Sequence, residues 1–199
     1  MNFYFKLFYS QFFVRIPYPT GDFTGQTVIV TGSNTGLGLE AARHLARLGA
    51  AKIILAVRTV SKGETAAADI IQSTGLTKNI IEVWPLDLTS FDSVKAFAAR
   101  ANSLDRLDAV IQNAGILTMV YSEAEGLESH ITVNVISAVL LGLLILPKLR
   151  DSAKKYGGPA RFAFVGSDVL YIANSKEVEG PGSILEAVSR KESADMGNR

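Results

Sequence analysis

Thr31-Gly32-Ser33-Asn34-Thr35-Gly36-Leu37-Gly38 joins a short β-branched run, Gln26 to Thr31, to a segment in which Leu37, Ala41, Leu45 and Leu48 recur at helical spacing. A glycine-rich turn between a strand and a helix is built for anion chemistry. Gly32 permits the tight turn, Gly36 lets the backbone come close to a pyrophosphate, and Gly38 allows the helix to pack closely. Free N–H groups of the first helical turn face the phosphates, so Gly32, Ser33, Asn34, Thr35, Gly36, Leu37 and Gly38 form the candidate phosphate loop. The end of the second strand then decides which dinucleotide fits, because a carboxylate there would bind a ribose 2′-hydroxyl and repel a 2′-phosphate. No Asp or Glu occurs between Glu40 and Glu64; the strand instead ends at Arg58, with Lys62 one turn later. Two cations at that place suit a 2′-phosphate and predict NADP(H) as the cofactor.

Such a loop needs a frame of alternating strands and helices. The periodicity predicts strands at Gln26 to Thr31, Lys52 to Val57, Ile80 to Leu86, Asp108 to Gln112 and Arg161 to Val165. Helices follow the first three strands, after Leu37, over Ser61 to Gln72 and over Phe91 to Ala101. Ser122 with Glu125 has capping-box spacing and predicts a long helix running toward Pro147, while Glu123, Glu125 and Glu128 read as a charge cluster at its N-terminus. The fold class expected is α/β, a Rossmann-like doubly wound parallel sheet of about five strands. After Ser167 the sequence turns polar and adds no further βα unit, so the fifth strand is expected to be an unpaired edge and the sheet C-terminally incomplete. The expected organisation is an aromatic arm at 1–25, a nucleotide-binding domain at 26–173 and a polar tail at 174–199.

The 199 residues are 48% hydrophobic and 20% charged, with 20 basic and 19 acidic side chains. That balance argues against disorder and against an electrostatic grip on nucleic acid. Zero cysteines exclude disulfides and thiol nucleophiles, and two histidines make a histidine-rich metal site improbable. His44 reads as a solvated surface residue, and His130 as a helix-face residue one turn before Asn134, with a contact near the cleft as the alternative. The arm holds nine of the sixteen Phe and Tyr, but Lys6, Ser10, Gln11 and Arg15 interrupt it, and Pro17 and Pro19 stop any helix. It is neither a span nor a signal peptide. Packing on its own domain is expected; the shared face of Phe5, Phe8 and Phe12 also suits a membrane surface or a partner. The apolar stretch Ala138 to Leu146 is too short to cross a bilayer by itself. A cytoplasmic protein, at most peripheral to a membrane, is therefore expected.

The later motifs arrive in the order of a known family: the chain resembles the compact short-chain dehydrogenases/reductases over about residues 24 to 199. Thr-Gly-x-x-x-Gly-x-Gly at 31–38 carries the likeness first. The resemblance gives Asp87 and Leu88 the adenine contact, and gives Asn113, Ala114 and Gly115 the Asn-Ala-Gly signature that lines the cofactor site. It makes Asn134 the asparagine that holds a water in a proton relay, and Ser167 the serine that orients the substrate oxygen. Ala56-Val57-Arg58 and Leu86-Asp87-Leu88-Thr89 look like the retinol-dehydrogenase-like and fungal secondary-metabolism members. A small carbonyl or alcohol substrate is implied, as is the pairing of two copies through the long helix.

The family's proton donor is a Tyr-x-x-x-Lys pair, which four-residue spacing puts on one helical face. Tyr121, Tyr156 and Tyr171 are followed four residues on by Glu125, Ala160 and Ser175, and the earlier tyrosines also lack the lysine. Tyr171 with Lys176 has the wrong spacing. The expectation is a chain that stops before the catalytic helix, read either as an oxidoreductase in fragmentary form or as an inactive binder of nucleotide or partner. Val165-Gly166-Ser167-Asp168-Val169 lacks the flanking glycines of a hydrolase elbow, and no Gly-Lys-Ser/Thr phosphate loop occurs.

Overall fold

Val28 and Val30 of β1 (Thr27–Thr31) pack into one hydrophobic cluster and Ile29 into another, all fully buried. Alternation with both faces buried is the mark of a central parallel strand. The computed structural model describes residues 3–76, 80–167, 183–191 and 196. After the helix α1 (Phe3–Phe13) and β1 come α2 (Gly36–Arg47), β2 (Lys52–Val57), α3 (Val60–Thr74), β3 (Ile81–Pro85), α4 (Phe91–Asn102) and β4 (Ala109–Gln112). A hairpin of β5 (Glu123–Ala124) and β6 (Leu127–Glu128) leads into a π-helical stretch, Ile131–Ser137, continuous with α5 (Ala138–Tyr156). The strand β7 (Arg161–Phe164) and the short helix α6 (Ile184–Ser189) complete the described elements.

Five strands form one parallel sheet in the order β3-β2-β1-β4-β7. Helices α2 and α3 supply Ala42, Leu45, Ala66 and Ile70 to the cluster on one face; α4 and α5 supply Val94, Phe97, Leu141, Ile145 and Leu149 to the other. The Rossmann-like α/β frame is thus present. The chain steps outward from β1 to β3 and then returns to the far side of β1, which makes the gap between the C-terminal ends of β1 and β4 a topological switch point, the place where such sheets bind ligands. Among the described residues β7 is an edge, as the sequence led one to expect.

Several local expectations fail. The Ser122/Glu125 capping box does not form: Glu125 (φ 53°) and Gly126 (φ 77°) are the turn of the β5–β6 hairpin, a conformation that favours glycine. Glu125 instead accepts a 2.7 Å hydrogen bond from the Phe91 N–H at the start of α4. Of the three glutamates expected at the long helix's N-terminus, only Glu128 serves it. That helix passes Pro147 and ends at Tyr156. Proline removes one helical hydrogen bond and disturbs the preceding turn, where Asn102 of α4 donates to the Leu144 carbonyl at 3.0 Å.

The apolar stretch Ala138 to Leu146 lies inside a longer helix, and with the π-helical stretch residues Ile131–Tyr156 are long and apolar enough to cross a membrane by length and composition. One face of it, Leu141, Ile145 and Leu149, is buried in the domain core, while Val135, Val139 and Leu143 are exposed. His44 is half-buried rather than solvated, its ring edge-on to Tyr18 at 4.9 Å. Only the root of the arm packs on the domain, through Tyr18 and Phe23; α1 does not, and residues 5–16 are exposed throughout. The polar tail includes α6, which docks on the hairpin: Tyr121 Oη donates to Ser189 O at 2.7 Å, and Val188 is buried. The boundary at 173 and Tyr171 with Lys176 lie outside the described residues.

At the β2–β3 surface Lys52 Nζ stands 2.6 Å from Glu82 Oε1, and Trp84 Nε1 donates to Oε2 at 2.9 Å. The lysine contact first, then the indole, holds the Glu82 carboxyl below its ordinary value of 4.5 against the opposing effect of partial burial. A depressed carboxylate stabilises the fold above its unfolded pKa, and that contribution disappears as pH falls through the folded value. Because both partners are 40% exposed, Glu82→Gln is expected to cost no more than about 1 kcal/mol at neutral pH. It should flatten the acid limb of thermal stability below pH 4.5, as a melting series across the acid range would read.

Candidate nucleotide-binding site

Thr31, at the end of β1, is fully buried and ties the two halves of the switch point together. Its hydroxyl accepts from the Asn113 and Ala114 N–H groups at 3.0 and 2.9 Å and donates to Gln112 Oε1 at 3.2 Å. Asn113 answers through its amide, which donates to Thr31 O at 3.1 Å and Gly32 O at 3.4 Å. The turn after β1 is thereby pinned to the turn after β4. Gly32 has φ 64°, and a Cβ on it would stand 2.9 Å from Ala114 Cα; a Cβ on Gly38 would stand 2.5 Å from Gly32 O. Both positions exclude any side chain. Gly36, with φ 57°, has nothing within 4 Å of its missing Cβ, so its backbone lies open to a ligand.

Helix α2 begins with no side-chain cap on its N-terminus, and so does α3. The N-terminus of α4 is closed by Ser90, which accepts from Ser93 N, and by Glu125. Unsatisfied N–H groups and the positive end of the helix dipole are therefore left where the two helices border the cleft. The cleft gathers Gly32, Asn34, Arg58, Lys62, Asp87, Leu88, Ala114 and Gly115, all named from sequence. Arg58 and Lys62 are exposed at its rim. Asp87 Oδ1 is held by the Thr89 N–H and hydroxyl at 2.9 and 2.7 Å.

Other sequence-named residues stand outside the lining. Ser33 is fully buried with its hydroxyl donating to Val30 O at 2.9 Å, which makes it a brace for the loop. Thr35, Gly36 and Leu37 form the exposed tip, Leu37 at 77%. Asn113 works as the tie described above, and Gly38 as the packing contact. Asn134 lies in the π-helical stretch and grips Ile116 at two points, accepting from its N–H at 2.8 Å and donating to its carbonyl at 2.9 Å. Ser167 is exposed beyond β7, at the same end of the sheet, after Val165 N extends the pairing to Gln112 O at 2.9 Å.

The structure adds residues that the sequence reading missed. Thr59, Thr89, Ile116 and Val133 line the cleft; Ile116 follows Asn-Ala-Gly directly, a signal that was present. His130, read from sequence as a helix-face residue with a contact near the cleft as the alternative, is buried at the helix start: Nδ1 stands 2.8 Å from the Glu128 carboxylate and Nε2 accepts from the Thr118 N–H at 3.0 Å. With both ring nitrogens used, it fastens the loop after β4 while Asn134 fastens the residue two before.

Residues 26–167 match the model of the short chain dehydrogenase family. The chain is 47% identical over 189 residues to the short chain dehydrogenase/reductase dmxR8 of Cryptosporiopsis sp., covering 94% of this chain and 58% of that protein. It is 40% identical to the short chain dehydrogenase FGM9 of Gibberella zeae over 98% of this chain and 57% of that one. Among solved structures, a short chain dehydrogenase of Escherichia coli complexed with NADPH aligns at 29% identity with a TM-score of 0.61, over 76% of this chain and 62% of that chain. One from Sphingobium yanoikuyae in complex with NADPH aligns at 26% identity and TM-score 0.62, over 73% of this chain and 55% of that chain. The chain spans about half the length of the curated relatives it matches. With the glycine turn, the Asn113 tie and the switch-point cleft in one parallel sheet, this match over most of the chain makes it a member of the short chain dehydrogenase family.

Proposed function

We propose that these residues form the cofactor-binding part of an NADP(H)-dependent oxidoreductase that interconverts a ketone and an alcohol. The observation that carries the reading is the uncapped α2 N-terminus opening onto a cleft whose rim holds Arg58 and Lys62. A dinucleotide fits this donor set: the open backbone at Gly36 admits a pyrophosphate, the two cations receive a 2′-phosphate, and Asp87 with Leu88 borders the adenine end. When bound, the nicotinamide supplies or accepts the hydride. Ser167 orients the substrate oxygen, and Asn134 and His130 fix the loop that forms the cleft's far wall. Leu117, Met119 and Val120 on that loop are 69–78% exposed and suit a substrate with an apolar body. The two relatives complexed with NADPH support the cofactor, and the wording of the loops supports a step in secondary metabolism. A cytoplasmic setting, where this cofactor is kept reduced, favours ketone reduction. Pairing of two copies is supported by Val135, Val139 and Leu143, exposed along the long helix.

No tyrosine in these 199 residues has a lysine four positions on, so the test is one of binding. Calorimetric titration of the chain is expected to show tighter binding of NADPH than of NADH. Arg58→Asp should weaken NADPH on the order of a hundredfold while sparing NADH, because a charge-assisted contact becomes a repulsion. An unchanged preference would remove the 2′-phosphate assignment, and no binding of either nucleotide would remove the whole reading.

A further inference from the structure

The aromatic arm is unexplained by the nucleotide site. Its helix α1 (Phe3–Phe13) leaves Phe5, Phe8, Phe12 and Phe13 between 55% and 71% exposed, and Ile16 beyond it at 86%. Its rings touch one another: Phe8 and Phe12 lie 4.7 Å apart, and Tyr9 stacks on Phe13 at 5.5 Å. At helical spacing Phe5, Phe8, Tyr9, Phe12 and Phe13 share an arc of about 140°; Lys6 flanks it about 20° beyond Phe13, and Ser10 and Gln11 lie farther round, on either side of Leu7. The root of the arm is fixed. Arg47 donates to Tyr18 Oη at 2.9 Å, and Phe23 N donates to Leu48 O at 3.0 Å, so the arm is held to α2 through a segment stiffened by Pro17 and Pro19.

Charge distinguishes among possible occupants of this aromatic face. Residues 1–21 contain no Asp or Glu, so Lys6 and Arg15 make this segment purely cationic on a chain that nets only +1. A second arm would meet like charge. An anionic lipid surface meets opposite charge and takes up aromatic rings at headgroup depth. Eleven helical residues span about 16 Å, half the hydrocarbon thickness, so the helix lies along the surface and does not cross it.

We propose that residues 3–16 are an interfacial membrane anchor selective for anionic bilayers, with Phe5, Phe8 and Phe12 inserted and Lys6 and Arg15 at the headgroups. The proposal stands apart from the nucleotide reading, since none of these residues borders the cleft. The test is sedimentation of the full chain with phosphatidylcholine vesicles, with and without about one third phosphatidylserine. The chain is expected to pellet with the anionic vesicles, and several-fold less in high salt or as Lys6→Glu/Arg15→Glu. Phe5→Ser/Phe8→Ser/Phe12→Ser should lower partition on the order of tenfold or more with its thermal midpoint unchanged, because the arm does not pack on the core. A wild-type chain that stays in the supernatant with anionic vesicles overturns the anchor, as does a triple variant that pellets equally. A wild-type dimer that the triple variant turns into a monomer without lipid would assign the face to a second copy instead.

Discussion

Gly38→Ala is expected to abolish measurable NADPH binding and to lower the unfolding free energy by about 2–4 kcal/mol. The added methyl group would stand 2.5 Å from Gly32 O and 2.6 Å from Asn113 Nδ2. Neither neighbour is a flexible side-chain end. Gly32 O belongs to the turn whose N–H is fixed to Ala56 O at 2.8 Å, and Asn113 is bound at both its backbone and its amide to Thr31. Relief requires α2 to move away from the sheet, which withdraws the N–H groups of its first turn from the phosphates they are placed to meet. Stability and affinity should therefore fall together. Gly36→Ala provides the contrast: nothing lies within 4 Å of its Cβ position, so its cost is the left-handed backbone alone, about 1–2 kcal/mol. Its effect on binding comes from blocking the ligand's approach. Chemical denaturation alongside nucleotide titration of the two variants reads both quantities. Equal stability for Gly38→Ala and wild type would show that the turn and the helix are not locked as described.

These glycines were legible in the sequence because what constrains them is local, a positive φ at a turn or a close contact between neighbouring elements. The strands were legible for a related reason. A parallel strand buried on both faces is written as an unbroken apolar run, and Lys52–Val57 was bounded to the residue. The hairpin was not, because Ser-x-x-Glu spacing fits a helix cap and a Glu-Gly turn equally well until Glu125 is seen to bond Phe91, 34 residues away. The arm shows the same limit from the other side. Its amphipathy is written in sequence, yet whether a face packs inward depends on a tertiary partner. Within the site, Arg58 and Lys62 were placed by their position after a strand, and Asp87 and Gly115 by resemblance to the family's motifs, whereas Thr89 and Val133 reach the cleft only through the packing of α4 and the long helix against the sheet.

Glu128 was read as part of a charge cluster at a helix N-terminus; it is buried there, and its replacement carries the other large expected effect. Its carboxylate is fully buried and accepts from the His130 N–H at 3.0 Å, the Ile131 N–H at 3.4 Å, the Ser129 hydroxyl at 3.1 Å and the His130 ring at 2.8 Å. It thus caps the long helix and orients the imidazole in one stroke. Glu128→Ala strands these donors where water does not reach, and a loss of about 3–5 kcal/mol is expected. For a chain of this length that lowers the melting temperature by on the order of 10 °C. Glu123→Ala, on the exposed strand of the same hairpin, should stay within about 0.5 kcal/mol. The damage should also travel in a defined direction. Without its carboxylate partner His130 loses the orientation that lets Nε2 receive the Thr118 N–H, and the loop from Leu117 to Val120 is freed on one side of the cleft. Limited proteolysis should therefore cut Glu128→Ala within that loop at temperatures well below its melting point, while Glu123→Ala resists as wild type does. Cleavage spread evenly along the chain would show instead that Glu128 stabilises the domain without governing the loop.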